Sequence, residues 1–156
     1  MLKWLGLSFA LVLIDQLTKL IVSSSLGLGE AIAIAPFFDL VNVRNRGAAF
    51  SFLSSASGWQ RELFIAIALI AVAWIVYLLR KHSRETLFCV ALAFILGGAL
   101  GNLIDRIALG AVIDFLDFHV AGYHWPAFNA ADSAITCGAA LLIWDSIRRP
   151  ARARSV

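Results

Sequence analysis

The chain has 156 residues, 61% of them hydrophobic and 15% charged, with a formal charge of +3. Soluble domains run at about 45–50% apolar and about 25% charged, so this composition, with a mean hydropathy of +0.85, excludes a water-soluble enzyme and a disordered chain. A helical membrane span needs roughly 20 apolar residues, so four spans leave too little chain for a separate soluble domain.

The first span is expected from about Trp4 to Val22. Lys3 and the apolar run to Ile14 look like the start of a cleaved signal peptide. Asp15, Gln16 and Lys19 then interrupt the run with no convincing small-residue cleavage site, so it reads as a retained span. Asp15 and Lys19 are spaced i, i+4 and share a helix face. They read either as an ion pair ending the span, with Lys19 reaching outward, or as a polar bracket beside an outer-leaflet site. Spacing favours the first.

An outer loop of about residues 26–60 follows. Within Ala31 to Val43, the apolar residues on either side of Pro36 predict short β-strands, forming a small sheet or cradle at the outer membrane surface. Next comes Asn45-Arg46-Gly47-Ala48-Ala49-Phe50, where small residues permit close backbone approach and Asn45 offers both a donor and an acceptor. A simple tight turn explains it equally well. Ser54 to Gln60 is a polar link.

The second span, Leu63 to Leu79, and the third, Thr86 to Ile104, are uncharged. The third ends in Gly97-Gly98-Ala99-Leu100-Gly101-Asn102-Leu103-Ile104-Asp105-Arg106. Gly97 and Gly101 make a small-xxx-small face, Asn102 is expected to point inward, and Asp105 with Arg106 to anchor the helix end. A second outer loop, about 105–127, holds Val112-Ile113-Asp114-Phe115 and a polar stretch with Asp117, His119 and His124. The fourth span, about 128–147, has an uncharged core of only Ser133 to Trp144. It must take in the Phe128-Asn129-Ala130-Ala131-Asp132 segment, drawing Asp132 to the membrane boundary, where a carboxylate is costly.

Lys3, the Arg80-Lys81-Arg84 linker and the Arg148, Arg149, Arg152, Arg154 tail carry 8 of the 13 Lys and Arg. Four crossings put all three on one side, which the positive-inside rule makes cytoplasmic. Both termini are then cytoplasmic, and the basic tail is an orientation signal rather than a nucleic-acid patch. Cys89 and Cys137 lie in apolar runs and read as small hydrophobes.

Asp114 and Asp132 follow the third span and open the fourth, so adjacent packing would bring them together. Two close carboxylates share a proton, which suits general acid–base activation of water. The alternative is two separate interfacial aspartates, each bonded to backbone. Asp117, His119 and His124 match no metal-ligand spacing. A Ser–Lys pair would need Lys19 with Ser23 or Ser51. Outside catalysis, Asp15, Asp114 and Asp132 could form the relay of a proton-coupled carrier, although no repeat supports it, and a purely structural subunit leaves the acids unexplained.

The ordered set D-Q-L-T-K, N-R-G-A-A-F, G-G-A-L-G-N-L-I-D-R, V-I-D-F and F-N-A-A-D-S, spread over residues 15–133, resembles the lipoprotein signal peptidase (signal peptidase II) family. The resemblance implies a mainly α membrane protein of four transmembrane helices with a small extracytoplasmic β-cradle and a short flap helix. It implies an aspartyl endopeptidase of the bacterial inner membrane, active near the outer face. The enzyme would remove signal peptides from prolipoproteins just before a diacylglyceryl-modified cysteine. By motif position Asp114 and Asp132 match the catalytic pair. Asn45, Gly47, Asn102, Arg106 and Asn129 match substrate-binding or supporting positions, and Asp15 and Asp105 match structural acidic ones. No metal or organic cofactor is expected. Membrane lipid and the cyclic peptide antibiotic globomycin are expected ligands, and a monomer suffices.

Overall fold

The structure is a computed structural model that describes residues 1–47 and 59–153, with side chains as far as residue 148. Four long helices, α1 (Leu2–Ser25), α2 (Gln60–Lys81), α3 (Thr86–Leu109) and α4 (Ala130–Ala153), accompany four strands. The strands are β1 (Ala31–Ala35), β2 (Phe38–Asn45), β3 (Val112–Val120) and β4 (Tyr123–His124). Each helix is long and apolar enough to cross a membrane, α4 over Ala130–Arg148. At about 1.5 Å per residue, a 24-residue helix such as α1 spans about 36 Å, more than a bilayer core of about 30 Å.

α3 is the central helix and packs against all three others. Its glycines make this possible on two sides. A Cβ on Gly97 would lie 2.7 Å from Leu11 Cβ and 2.9 Å from the Ser8 carbonyl of α1, and one on Gly98 would strike the Ala131 carbonyl of α4. The small-residue face expected from Gly97 and Gly101 is therefore real, and Gly98 adds a second face toward α4. One apolar cluster, built on Trp4, Ile75, Leu79, Cys89, Leu92 and Leu96, fills the bundle end away from the sheet. Large apolar side chains such as Phe9, Leu20, Ile70 and Trp74 are exposed on the outer helix faces, as lipid-facing surfaces require.

At the other end, α1 runs into extended backbone at Leu26 and α3 stops at Gly110, whose φ of 71° is left-handed. Arg61 caps that end, donating to the carbonyls of Arg106 (3.0 Å) and Ile107 (3.1 Å). The strands form one antiparallel sheet in the order β1-β2-β3-β4. β1 and β2 fall where the Ala31–Val43 pattern predicts them. β3 is an addition, since residues 105–127 are expected only as an outer loop. Its composition, Val, Ile, Phe, Leu and Phe between Gly110 and Gly122, is nonetheless that of a strand. In the sheet Val43 faces Asp114 and Asn45 faces Val112, so β2 delivers Asn45 beside Asp114.

Ala48, Ala49, Phe50, Ser51 and most of the polar link, Ser54 to Gly58, lie outside the described residues, as do the side chains of Arg149 and Arg152 and all of Arg154. Among the described residues there is no short helix to act as a flap.

Candidate active site

Two polar layers are stacked where α1, α3, α4 and β3 meet. The deeper one centres on Lys19, whose ammonium donates to Asp15 Oδ2 (2.8 Å), Asp105 Oδ2 (2.8 Å) and Asn102 Oδ1 (3.0 Å). Lys19 is only 2% exposed and Asp15 1%. The outward-reaching lysine expected from the i, i+4 spacing is thus wrong: three acceptors inside the bundle outweigh the solvation available at its surface. Asp105 is corrected likewise. It is buried rather than anchoring an interface, because α3 continues one further turn to Leu109. Its Oδ2 accepts the Ile113 amide (3.1 Å) and its Oδ1 accepts the Gln16 side chain (3.0 Å). Gly101 carries no side chain for a plain reason: a Cβ there would run into the Asp15 carboxylate.

Asp15 also ties this layer to α4. Its Oδ1 accepts the amide of Ala131 at 2.9 Å, satisfying a first-turn N–H that has no partner within the helix. Asn129 caps the same turn, its Oδ1 accepting the Asp132 amide at 2.9 Å.

The second layer holds Asp114 and Asp132. Asn129 Nδ2 donates to Asp114 Oδ1 (2.7 Å) and Asn45 Nδ2 to Asp114 Oδ2 (3.1 Å), while Asn102 Nδ2 donates to Asp132 Oδ1 (2.8 Å). Each amide is oriented by an obligate donor on its oxygen: Lys19 for Asn102, the Asp132 N–H for Asn129 and the Gly47 N–H for Asn45 (2.9 Å). Asn129 therefore touches both carboxyl residues, and the expected convergence of Asp114 and Asp132 is a feature of the fold. Burial pushes the Asp114 carboxyl up to about 7, and the negative charge of Asp132 adds to the rise, against the pull of Asn45, Asn129 and Lys19.

Both aspartates line a cavity of about 860 Å³. Asn45, Asn102 and Arg106 form its polar end, and Phe64, Ile67, Ala71, Ile95 and Ile135 give it an apolar flank between helices. Arg106 reaches the Gly47 carbonyl (3.1 Å) and lies over the Phe64 ring at 5.2 Å, so it straps the end of β2 to α3. Gly47 contributes through its backbone, on Asn45 and Arg106. Cys89 is buried in the core as expected, whereas Cys137 is exposed and lines the cavity.

The remaining sequence candidates fall elsewhere. His124 pairs with Asp117 (2.9 Å) and His119 with Asp39 (3.3 Å), on β2, β3 and β4 beyond the cavity. Ser23 donates to the Leu20 carbonyl (3.3 Å), not toward Lys19, and Ser51 is outside the described residues. Lys19 is the member of the site that spacing alone undervalued, favouring a span-ending ion pair over a bracket beside the site. The signal was present in Asp15, Lys19, Asn102 and Asp105, too many hydrogen-bonding groups near two span ends for all to face lipid.

A four-span membrane protein with a carboxylate-bearing cavity beneath a small sheet is the class these features define. The sequence profile of signal peptidase (SPase) II matches residues 7–148. The chain is 58% identical over 151 residues to the lipoprotein signal peptidase of Paraburkholderia phymatum, covering 97% of this chain and 91% of that protein. It is 56% identical over 149 residues to that of Janthinobacterium sp. (strain Marseille), covering 96% and 90%. A solved structure described as a bacterial membrane enzyme, obtained by the in meso method, superposes with a TM-score of 0.87 at 32% identity, over 97% of this chain and 92% of the other. The chain belongs to the signal peptidase II family, and it is accordingly a membrane peptidase of the lipoprotein-processing type.

Proposed function

We propose that this protein is an aspartyl endopeptidase of the bacterial inner membrane that releases signal peptides from diacylglyceryl-modified prolipoproteins, cutting just before the lipidated cysteine. Asp114 and Asp132 are the working pair. The observation that carries this reading is the asparagine set on one cavity wall: Asn129 donates to the Asp114 carboxyl and caps the turn bearing Asp132, whose carboxyl accepts from Asn102. With one proton shared between them, one carboxylate takes a proton from water as its oxygen attacks the scissile carbonyl. The other carboxyl protonates the carbonyl oxygen; as the tetrahedral intermediate collapses, the first gives the proton it took from water to the leaving amine and the second recovers its own from the hydroxyl. No metal or organic cofactor enters these steps.

The apolar flank suits a substrate that keeps its acyl chains in lipid while its backbone reaches the polar end. Asn45, Asn102, Arg106 and Asn129 orient the pair and the substrate's backbone, Gly47 supports them, and Asp15 and Asp105 hold the helices beneath. Basic residues toward the opposite end support a reading with both termini in the cytoplasm and the site near the outer face. The protein works as a monomer in contact with membrane lipid, and globomycin occupies the same cavity.

The test is cleavage by purified protein in detergent, with the product mapped by mass spectrometry. The expected product begins at the lipidated cysteine, and Asp114→Asn produces none of it. Equal turnover of the same peptide without its acyl chains would contradict the lipid-anchored reading.

A further inference from the structure

Lys19 has a bond that ion pairing alone does not require. An ammonium has three donors and no acceptor, and Asp15 and Asp105 engage two of them. The third goes to a neutral amide, Asn102 Oδ1, which Asn129 Nδ2 also reaches at 3.2 Å. With its oxygen held by two donors, the planar Asn102 amide can present only Nδ2 to Asp132, and it does so at 2.8 Å. A charged donor strengthens such a bond, and successive hydrogen bonds polarise one another in a low-dielectric interior.

We propose that Lys19 is a positioning residue for peptide hydrolysis, acting through Asn102 to orient and polarise the donor that holds Asp132. The proposal rests on the reading of Asp114 and Asp132 as the working pair. Asp15 and Asp105 then have a second duty, to keep the ammonium aimed at Asn102. Without Lys19 only the longer, uncharged bond from Asn129 (3.2 Å) holds the amide oxygen, so the donor to Asp132 is less polarised and less firmly oriented, and the carboxylate loses its alignment with the attacking water.

The test is a double-mutant cycle on cleavage of a diacylglyceryl-modified prolipoprotein by purified Lys19→Met, Asn102→Ala and the double variant. Lys19→Met is expected to lower kcat by about 10²-fold, the scale of a small misplacement, while KM stays within about threefold. In the Asn102→Ala background the same substitution is expected to cost less than about threefold, because its path of action is gone. Wild-type kcat in Lys19→Met, or an undiminished loss in the Asn102→Ala background, overturns the proposal. Lys19→Met leaves two buried carboxylates facing each other, so Asp15→Asn/Lys19→Met/Asp105→Asn is measured as well. It removes all three charges, a change that buried ion clusters often tolerate, and wild-type kcat in this variant overturns the proposal equally. Wild type and Asp132→Asn run alongside. If both cleave alike, the working-pair reading falls and takes the proposal with it. If only wild type cleaves and Lys19→Met matches it, the role of Lys19 alone falls.

Discussion

The two polar layers use the same residue type to opposite ends. In the deeper layer Asp15 and Asp105 face an ammonium and also accept hydrogen bonds from backbone amides of other elements. In the upper layer neutral asparagine amides donate to Asp114 and Asp132. Charge compensation makes the first a fastener between α1, α3, β3 and α4. In the second, burial and the charge of Asp132 leave Asp114 holding a proton up to about pH 7, the property an acid–base group needs near neutrality. Burial alone therefore does not decide what a carboxylate does: Asp15 and Asp105 bond directly to an ammonium, whereas neutral amides hold Asp114 and Asp132.

The largest expected effect breaks the fastener. Lys19→Ala strands two buried carboxylates and opens a gap, so a loss of about 3–5 kcal/mol, or failure to fold, is expected in thermal unfolding in detergent. Gly101→Ala tests the same layer from its edge. Its added methyl meets the Asp15 carboxylate, and overpacking of this kind costs about 1–3 kcal/mol.

The upper layer is tested by pH. Asp114 has a raised proton affinity in the folded protein, so its stabilising effect is complete below the ordinary carboxylate range, near about pH 4. It is lost as pH rises through about 7. Asp114→Asn cannot ionise, so its unfolding temperature relative to wild type is expected to rise between about pH 4 and about pH 7 and then level off. Wild-type turnover is expected to fall above about pH 7 as the shared proton leaves. The smallest effect lies outside both layers. His124 is exposed and paired with Asp117 on the outer sheet, and His124→Ala is expected to change stability by less than about 0.5 kcal/mol, with turnover unaltered.

The spans and the first two strands were legible because apolar run length and the Pro36 break are local signals. Asp114 and Asp132 stood out because a carboxylate among Val, Ile, Phe and Ala is expensive unless used. Sequence left the inside–outside sense of polar residues open. At Lys19 the i, i+4 pair with Asp15 is real, but its direction depended on Asn102 and Asp105, more than 80 residues away. Asp105 was misjudged because α3 winds one turn beyond its apolar run. β3 was not legible because Asp114, Asp117 and His119 broke up an apolar run that Phe118 and Val120 continue.

The most direct test of the central claim, that the amide-held pair works while the lysine-bonded layer holds the fold, is turnover and unfolding temperature of Asp132→Asn in one detergent sample. The expected result is turnover of the lipidated substrate reduced by at least about 10³-fold, with an unfolding temperature at or above that of wild type. Wild-type turnover, or inactivity accompanied by a collapse in unfolding temperature, would contradict it.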